Sequence, residues 1–286
     1  MAYEDLAGLS VHVADGVAAV TLDHPPLNLM DKVLLSSIRG FVHRVRQDEE
    51  VRVIVFQSAD PEFFSAHGDM RFLTDPDALG AAMRAAVAAA PDAPVPEGVN
   101  ILEALSIEIR ALPQVTIGKV AGLARGGGNE FLTCLDMRFA AIGKSGQAQP
   151  EAAQRILPGG GGTVNLPRLL GRARALELIL GGELIGAELA ERYGLINRAL
   201  PADEIDGFVD DLARRIAALR PEVIAAVKTI VDTVSPPTPA EVYAVENKES
   251  HGIYIPDVTD FALRQLEAGV QSREGERDLE GLLRSL

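Results

Sequence analysis

The sequence predicts an α/β protein with a helical C-terminal region, and three observations carry that prediction. Short β-branched runs alternate with segments of helical periodicity through the first half of the chain. From Thr163 onward the pattern is mostly helical. Two glycine clusters, Gly126–Gly128 and Gly159–Gly162, each stand just before a helix-like segment. Strands alternating with helices and then helices alone describe an α/β core with an appended helical region. We expect that core at residues 1–200 and the helical region at residues 201–286.

Along the chain, "LSVHV" and "VAAVTLD" read as two strands, and "ADG" between them is a hairpin turn signal. "HPPLN" stops the second strand, because proline cannot donate to a sheet ladder. From Asp31 to Gln47, Leu34, Ile38, Phe41, Val42 and Val45 recur at helical spacing and make an amphipathic helix. "VRVIVFQS" (51–58) is an unbroken β-branched run, the mark of a strand buried on both faces. "ADPEFFSAHGDMRFL" reads as a loop leading to a short helical stretch. Residues 74–98, rich in Ala and Pro, read as a helix plus a mobile linker, or as a lid over a pocket. A helix follows at 101–111, then a buried strand in "VTIGKVAG". "ARGGGNEFLTCLD" is a turn entering a helix, and "MRFAAIG" is a further strand. Helical segments are expected at 163–180, 186–193, 203–219 and 221–234, with a pair of helices after Pro256.

Composition narrows the function classes. The formal charge of −14 disfavours binding to nucleic acid or an anionic membrane, both of which call for basic patches. A single cysteine, Cys134, excludes an intramolecular disulfide and reads as a small buried side chain. The N-terminal "MAYEDLAGLS" has neither a basic segment nor an apolar stretch of the kind a secretion signal needs. No apolar run approaches the roughly 20 residues of a membrane-spanning helix. The chain therefore reads as soluble and cytoplasmic.

The most informative stretch is "LARGGGNEF" (123–131). A strand that runs into glycines and then a helix presents free backbone N–H groups, and the missing side chains allow close approach. Such a place suits a phosphate or an oxyanion formed during a reaction. The nucleotide-binding spacings G-x-G-x-x-G and G-x-x-x-x-G-K-[ST] are absent, and Glu130, two residues past the last glycine, would repel a phosphate. A transient oxyanion with a carboxylate nearby to move protons fits better; alone, the cluster reads equally as a tight turn. Two further stretches point the same way. "FFSAHGDM" (63–70) is a small-residue loop able to present a second N–H, and "AQPEAAQRILPGGGGT" (148–163) adds a second carboxylate, Glu151.

Taken together and in order, these blocks resemble the crotonase superfamily, the enoyl-CoA hydratases and isomerases, over about residues 9 to 235. The likeness continues through "RLLGRARALELILGGELIGAELAERYGLINRALP". It implies a crotonase-like ββα spiral core and a helical C-terminal oligomerisation region, assembled as a homotrimer or a dimer of trimers. It implies an acyl-CoA thioester as substrate and no further cofactor or metal. Carried over position by position, Ala66 and Gly127 supply the two N–H groups of the oxyanion hole, Glu130 and Glu151 are the catalytic carboxylates, and Gly159 helps hold the water. Gly68, Asp69, Met70 and Gly126 fall in the substrate-binding loops. A hydro-lyase is the leading activity; isomerisation, decarboxylation and C–C hydrolysis of a β-diketone use the same oxyanion hole, and a non-catalytic binding scaffold is the remaining reading.

Three departures from the family pattern stand out. His67 occupies a position where the family usually has glycine, and it reads as an added polar group in the pocket or as a side chain turned away. Arg155 lies close enough to Glu151 in sequence to pair with it and lower its pKa, or to bind a substrate carboxylate. The C-terminal tail lacks the usual "E-G-x-x-A-F" and basic ending, a segment that in the family often packs near CoA in a neighbouring subunit.

Overall fold

A computed structural model of the protein describes residues 3–253 and 256–286; the first two residues of the stretch read for a secretion signal lie outside them. The chain opens with the hairpin β1 (Leu9–Ala14) and β2 (Val17–Leu22), in register from Leu9↔Leu22 to Ala14↔Val17. Its turn needs two left-handed residues, and Asp15 (φ 51°) with Gly16 (φ 79°) provides them. Helix α1 (Lys32–Val45) follows, capped by Asp31, whose side chain accepts from the N–H groups of Val33 and Leu34.

Three strand pairs then build the core: β3 (Val53–Ser58) with β4 (Phe63–Ser65), β5 (Val115–Val120) with β6 (Leu123–Arg125), and β7 (Met137–Ala141) with β8 (Gly146–Ala148). The first member of each pair joins a six-stranded sheet and the second joins a four-stranded one. Helices α2 (Arg71–Thr74), α3 (Pro76–Ala89) and α4 (Ile101–Arg110) separate the first two pairs, and α5 (Gly127–Thr133) separates the last two. After α6 (Gly162–Leu170) and α7 (Arg172–Gly181), the short β9 (Ile185–Gly186), α8 (Ala187–Tyr193) and β10 (Arg198–Leu200) complete the sheets. The larger sheet runs β1-β2-β3-β5-β7-β10 and the smaller β4-β6-β8-β9. The rest is helical: α9 (Ile205–Ala217), α10 (Pro221–Val234), α11 (Ala240–Ile253), α12 (Pro256–Glu267), α13 (Arg273–Arg277) and α14 (Leu279–Arg284).

The unbroken apolar run of β3 is explained by burial on both faces. Ile54 and Phe56 face the main core, whereas Val53 and Val55 pack with Ile117, Phe139 and the α9 residues Val209 and Ala213. Phe131 of α5 meets Phe56 edge-on at 5.0 Å between centroids and stacks on Phe64 at 6.4 Å. Such pairs add about 0.5–1.5 kcal/mol each beyond area burial, and here they pin α5 between the two sheets.

Several elements differ from the expectation. β4, β6, β8, β9 and β10 are each three residues or fewer, too short for alternation to declare them. The single helix expected over 163–180 is two, because Gly171 (φ 79°) breaks it. Helix α11 was not expected: it buries only Tyr243 and Glu246 and so has no apolar stripe. The region after Pro256 holds three helices instead of a pair.

Candidate active site

The three glycines after β6 do three different things. Gly126 turns the chain with φ 45°, donates its N–H to the Ala148 carbonyl at 3.0 Å, and leaves room for Glu151, whose Oε1 would be 2.7 Å from a Cβ placed there. Gly127 begins α5 beside Gly68, whose backbone nitrogen would be 3.3 Å from a Cβ on Gly127. Gly128 lets β4 run against α5, since a Cβ there would lie 2.5 Å from the Ser65 carbonyl oxygen. The outer glycines thus admit Glu151 and Ser65, while the middle one stands against the Gly68 backbone.

That loop corrects one assignment. The Ala66 N–H donates to the Leu27 carbonyl at 3.0 Å and is not free for a ligand. Next along the loop, the His67 carbonyl accepts from Met30 N–H at 2.9 Å and Asp69 N–H donates to the Met30 carbonyl at 3.4 Å. Extended backbone alternates its polar groups, so Gly68 between them turns its own N–H to the other side, where it lines the cavity. The N–H groups of Gly68 and Gly127 have no hydrogen-bond partner among the described residues. These two, instead of Ala66 and Gly127, are the open donors.

Glu130 projects from α5 into the second glycine cluster. Its Oε1 accepts from the N–H of Gly160 and of Gly162, both at 2.8 Å. The intervening amides go elsewhere: Gly161 donates to Glu246 Oε1 at 2.7 Å, and Thr163 donates from its N–H to Glu246 Oε2 at 2.9 Å and from its hydroxyl. Four successive amides of one turn therefore alternate between two buried carboxylates. Burial pushes Glu130 up to about 8 and the Glu246 charge adds to it, against the two N–H bonds. Burial likewise raises Glu246 to about 6. Glu151 is held well above the ordinary carboxylate range, first by burial and then by the Glu130 charge. Its only side-chain donor among the described residues is Gln149 Nε2, at 3.3 and 3.4 Å from its two oxygens. Asn129 Nδ2 in turn donates to Gln149 Oε1 at 2.7 Å and fixes that amide.

Glu246 was not legible, because "AEVYAVENKES" has no apolar stripe and no element is expected there. Its position makes a prediction. Glu246→Gln removes the second-largest cause of the raised Glu130 pKa, so the acid limb of any pH–activity profile that depends on ionised Glu130 should move to lower pH. A profile recorded for both proteins checks this; an unmoved limb would mean that Glu246 only braces the turn.

The remaining candidates are placed as follows. Gly159 lines the cavity; its carbonyl accepts from Asn100 Nδ2 at 2.7 Å, and its N–H has no partner among the described residues. Met70 lines the cavity too, and its N–H donates to Gln271 Oε1 at 2.8 Å. Asp69 is committed to the protein: Oδ1 accepts from Arg71 N–H at 2.9 Å and Gln271 Nε2 at 3.2 Å, and Oδ2 accepts from Arg71 Nε at 2.6 Å. Arg155 turns away from Glu151 in a left-handed conformation (φ 65°), pairs with Asp257 at 3.2 Å and lies 4.0 Å over the Phe261 ring. It therefore does not lower the Glu151 pKa, which moves up.

His67 is buried, with both ring nitrogens engaged. Nδ1 lies 2.6 Å from the Gly68 carbonyl, which can only accept, so that nitrogen carries a proton; Nε2 lies 2.9 Å from Glu276 Oε1. Burial alone would lower its pKa, but the Glu276 charge and hydrogen bond outweigh burial and raise it. Glu276 stays below the ordinary range, because its contacts with His67 outweigh burial.

The cavity encloses about 340 Å³. Leu79, Ala82 and Met83 of α3 and Ile156 form apolar wall, while Asn247 and His251 of α11 stand at a polar side. Segment 74–98 thus supplies cavity wall through α3.

Two open N–H groups, a raised carboxylate pair and an apolar cavity make a site for an anionic oxygen with proton transfer beside it. The family model described as Enoyl-CoA hydratase/isomerase matches residues 12–252 of the chain. The protein belongs to the enoyl-CoA hydratase/isomerase family. It is therefore an enzyme of a family whose substrate class is acyl-CoA. It is 32% identical over 228 residues to the carnitinyl-CoA dehydratase of Escherichia coli K12, covering 79% of this chain and 81% of that one. A solved Streptomyces avermitilis protein, described provisionally as an enoyl-CoA hydratase, is 44% identical with a TM-score of 0.88 over 98% of both chains. Pseudomonas aeruginosa DspI is 29% identical with a TM-score of 0.71 over 87% of this chain and 95% of its own. The crotonase-like α/β fold with its C-terminal helical region is the fold expected from the sequence. Among the described residues, no helix is long and apolar enough to cross a membrane.

Proposed function

We propose that this family member is a hydro-lyase that adds water across the double bond of a 2-enoyl-CoA. The observation that carries the reading is the meeting of two unpartnered amides, Gly68 and Gly127, with the buried pair Glu130 and Glu151 around one cavity. The thioester oxygen accepts from the two N–H groups. Water sits between the two carboxyl groups with the Gly159 N–H as a further donor.

The electrostatics divide the work. Two backbone N–H bonds favour the anion of Glu130, whereas the Glu151 carboxyl has, among the described residues, its own backbone N–H and long side-chain contacts from the Gln149 amide. In a buried pair that shares its charge, Glu130 ionises first and Glu151 keeps its proton. Carboxylate Glu130 takes a proton from water as the oxygen bonds to the β-carbon. The π electrons move onto the thioester oxygen as an enolate, and Glu151 delivers its proton to the α-carbon. Proton return from Glu130 to Glu151 resets the pair. Addition of water is redox-neutral, so the scheme needs no electron-carrying cofactor.

Hydrolysis of a C–C bond assisted by His67 fits less well, since both of its nitrogens are engaged within the protein. The exposed apolar positions Val223, Val227, Ile230, Val231 and Val234 of α10 support assembly as a homotrimer or a dimer of trimers. The deciding experiment supplies crotonyl-CoA and a longer 2-enoyl-CoA and identifies the product by mass. The 3-hydroxyacyl-CoA, one water heavier, is expected. A 3-enoyl-CoA of unchanged mass, or recovery of both substrates unchanged, would replace this reading.

A further inference from the structure

The residues around the two open amides share a feature that the reaction scheme does not use: both loops are tied to one segment of the C-terminal tail. On the Gly68 side, Gln271 accepts from Met70 N–H at 2.8 Å and donates to Asp69 Oδ1 at 3.2 Å, and Glu276 Oε1 lies 2.9 Å from His67 Nε2. On the Gly127 side, Arg125, the last residue of β6, donates from a terminal nitrogen to the Glu276 backbone carbonyl at 3.0 Å. The same guanidinium grips Glu280 with two bonds of 2.6 and 2.8 Å. Glu276 thus holds one loop through its carboxylate and the other through its carbonyl, and its Oε1 also accepts from Gln271 N–H at 2.8 Å.

Resting on the reading of Gly68 and Gly127 as an oxyanion hole, we infer that residues 271–280 form an intramolecular clamp that fixes the separation of those two amides, with Glu276 as its joint and His67 as the positioning residue through which it acts. His67 suits that part. Its Nδ1–H donates to the Gly68 carbonyl while Nε2 meets the tail, so one rigid ring links Gly68 to Glu276. The apolar seam beneath, formed by Met70, Ala262, Val270, Leu279 and Leu283, holds the tail on the loop. The unusual tail and the unusual His67 are in this view two halves of one device. A preorganised hole depends on donor positions, and misplacement by about 1 Å can cost about 10²-fold in rate. The clamp therefore acts on turnover more than on binding.

The test is a double-mutant cycle on the full-length enzyme. Glu276→Gln and His67→Gln should each lower kcat by about 10- to 100-fold with KM within about threefold. The double variant, which restores a neutral amide pair, should be no worse than the poorer single variant. Losses that multiply, or single variants with wild-type kcat, would overturn the clamp. If a single variant does not fold, Gln271→Ala decides, since it removes a strut without stranding a buried charge: a lower kcat supports the clamp and an unchanged one refutes it. A second readout separates this inference from the hydratase reading. Exchange of the α-protons of butyryl-CoA in heavy water needs the oxyanion hole and a base but no hydration. Exchange in the wild type and its loss in Glu276→Gln would uphold the clamp even for an enzyme that does not hydrate, and equal exchange in both would refute it.

Discussion

Glu130→Gln should lower kcat for hydration by about 10²–10⁴-fold, the usual contribution of a positioned proton-transfer group, while leaving the fold and KM nearly untouched. The reason lies in how Glu130 is held. Both backbone donors, Gly160 and Gly162, bond to the same oxygen, Oε1. A glutamine can keep its carbonyl oxygen in that place and accept both bonds, so the turn is preserved and only the second oxygen becomes an amide. What disappears is the ability to take a proton from water. In the wild type, kcat/KM should rise with pH as the coupled carboxylates lose their first proton, because Glu130 is raised to about 8 and must be ionised to act as the base. Below that region both members of the pair carry protons and water has no base. In Glu130→Gln the residual rate should lose that rise. Steady-state kinetics from about pH 6 to pH 9, with thermal unfolding as a check on folding, tests both statements. A variant that keeps turnover within tenfold of the wild type, or that keeps the rising limb, would move the base to another residue.

Much of this site was legible because it is made of chain-local signals. The β3 run declares itself through residue type and spacing, and the "GGG" turn and the two carboxylates through short motifs whose order along the chain resembles the family's. What was not legible depends on segments distant in sequence. The choice between Ala66 and Gly68 is made by Leu27 and Met30, which consume alternate backbone groups of the loop, and no local pattern records that. Glu246 is hidden because α11 has no apolar stripe to announce it, and the glutamate is one more charged residue of that stretch until Gly161 and Thr163 are seen to donate to it. Arg155 misled for the same reason in reverse: close to Glu151 in sequence, it is drawn off by Asp257 and Phe261 of α12. The division of labour among the three glycines follows the same rule. Sequence suggested access for a ligand, whereas the outer two admit Glu151 and Ser65.

That close approach leads to the second large effect, Gly128→Ala. An added Cβ would sit 2.5 Å from the Ser65 carbonyl oxygen and 2.7 Å from the Ser65 Cβ. The nearest atom is backbone, so no rotamer change relieves the clash; β4 and α5 must separate by roughly 1 Å to reach an ordinary contact of 3.4 Å. Overpacking of this kind costs about 1–3 kcal/mol or more, which in a protein of this size lowers Tm by roughly 2–4 °C per kcal/mol. Activity should suffer further, because the shift falls between the two open amides. Ser65 lies three residues before Gly68 on one side of the hole, and Gly128 directly follows Gly127 on the other. A displacement of about 1 Å there should cost about 10²-fold in kcat. The same chemical change at Gly207, an exposed helical glycine of α9 with nothing within 4 Å of the added Cβ, should instead raise stability by about 0.5–1 kcal/mol and leave kcat alone. Opposite signs at the two positions would show that contact with Ser65, and not loss of glycine as such, sets the effect. A fully active Gly128→Ala enzyme with the wild-type Tm would mean that α5 does not hold the Gly68 loop in place.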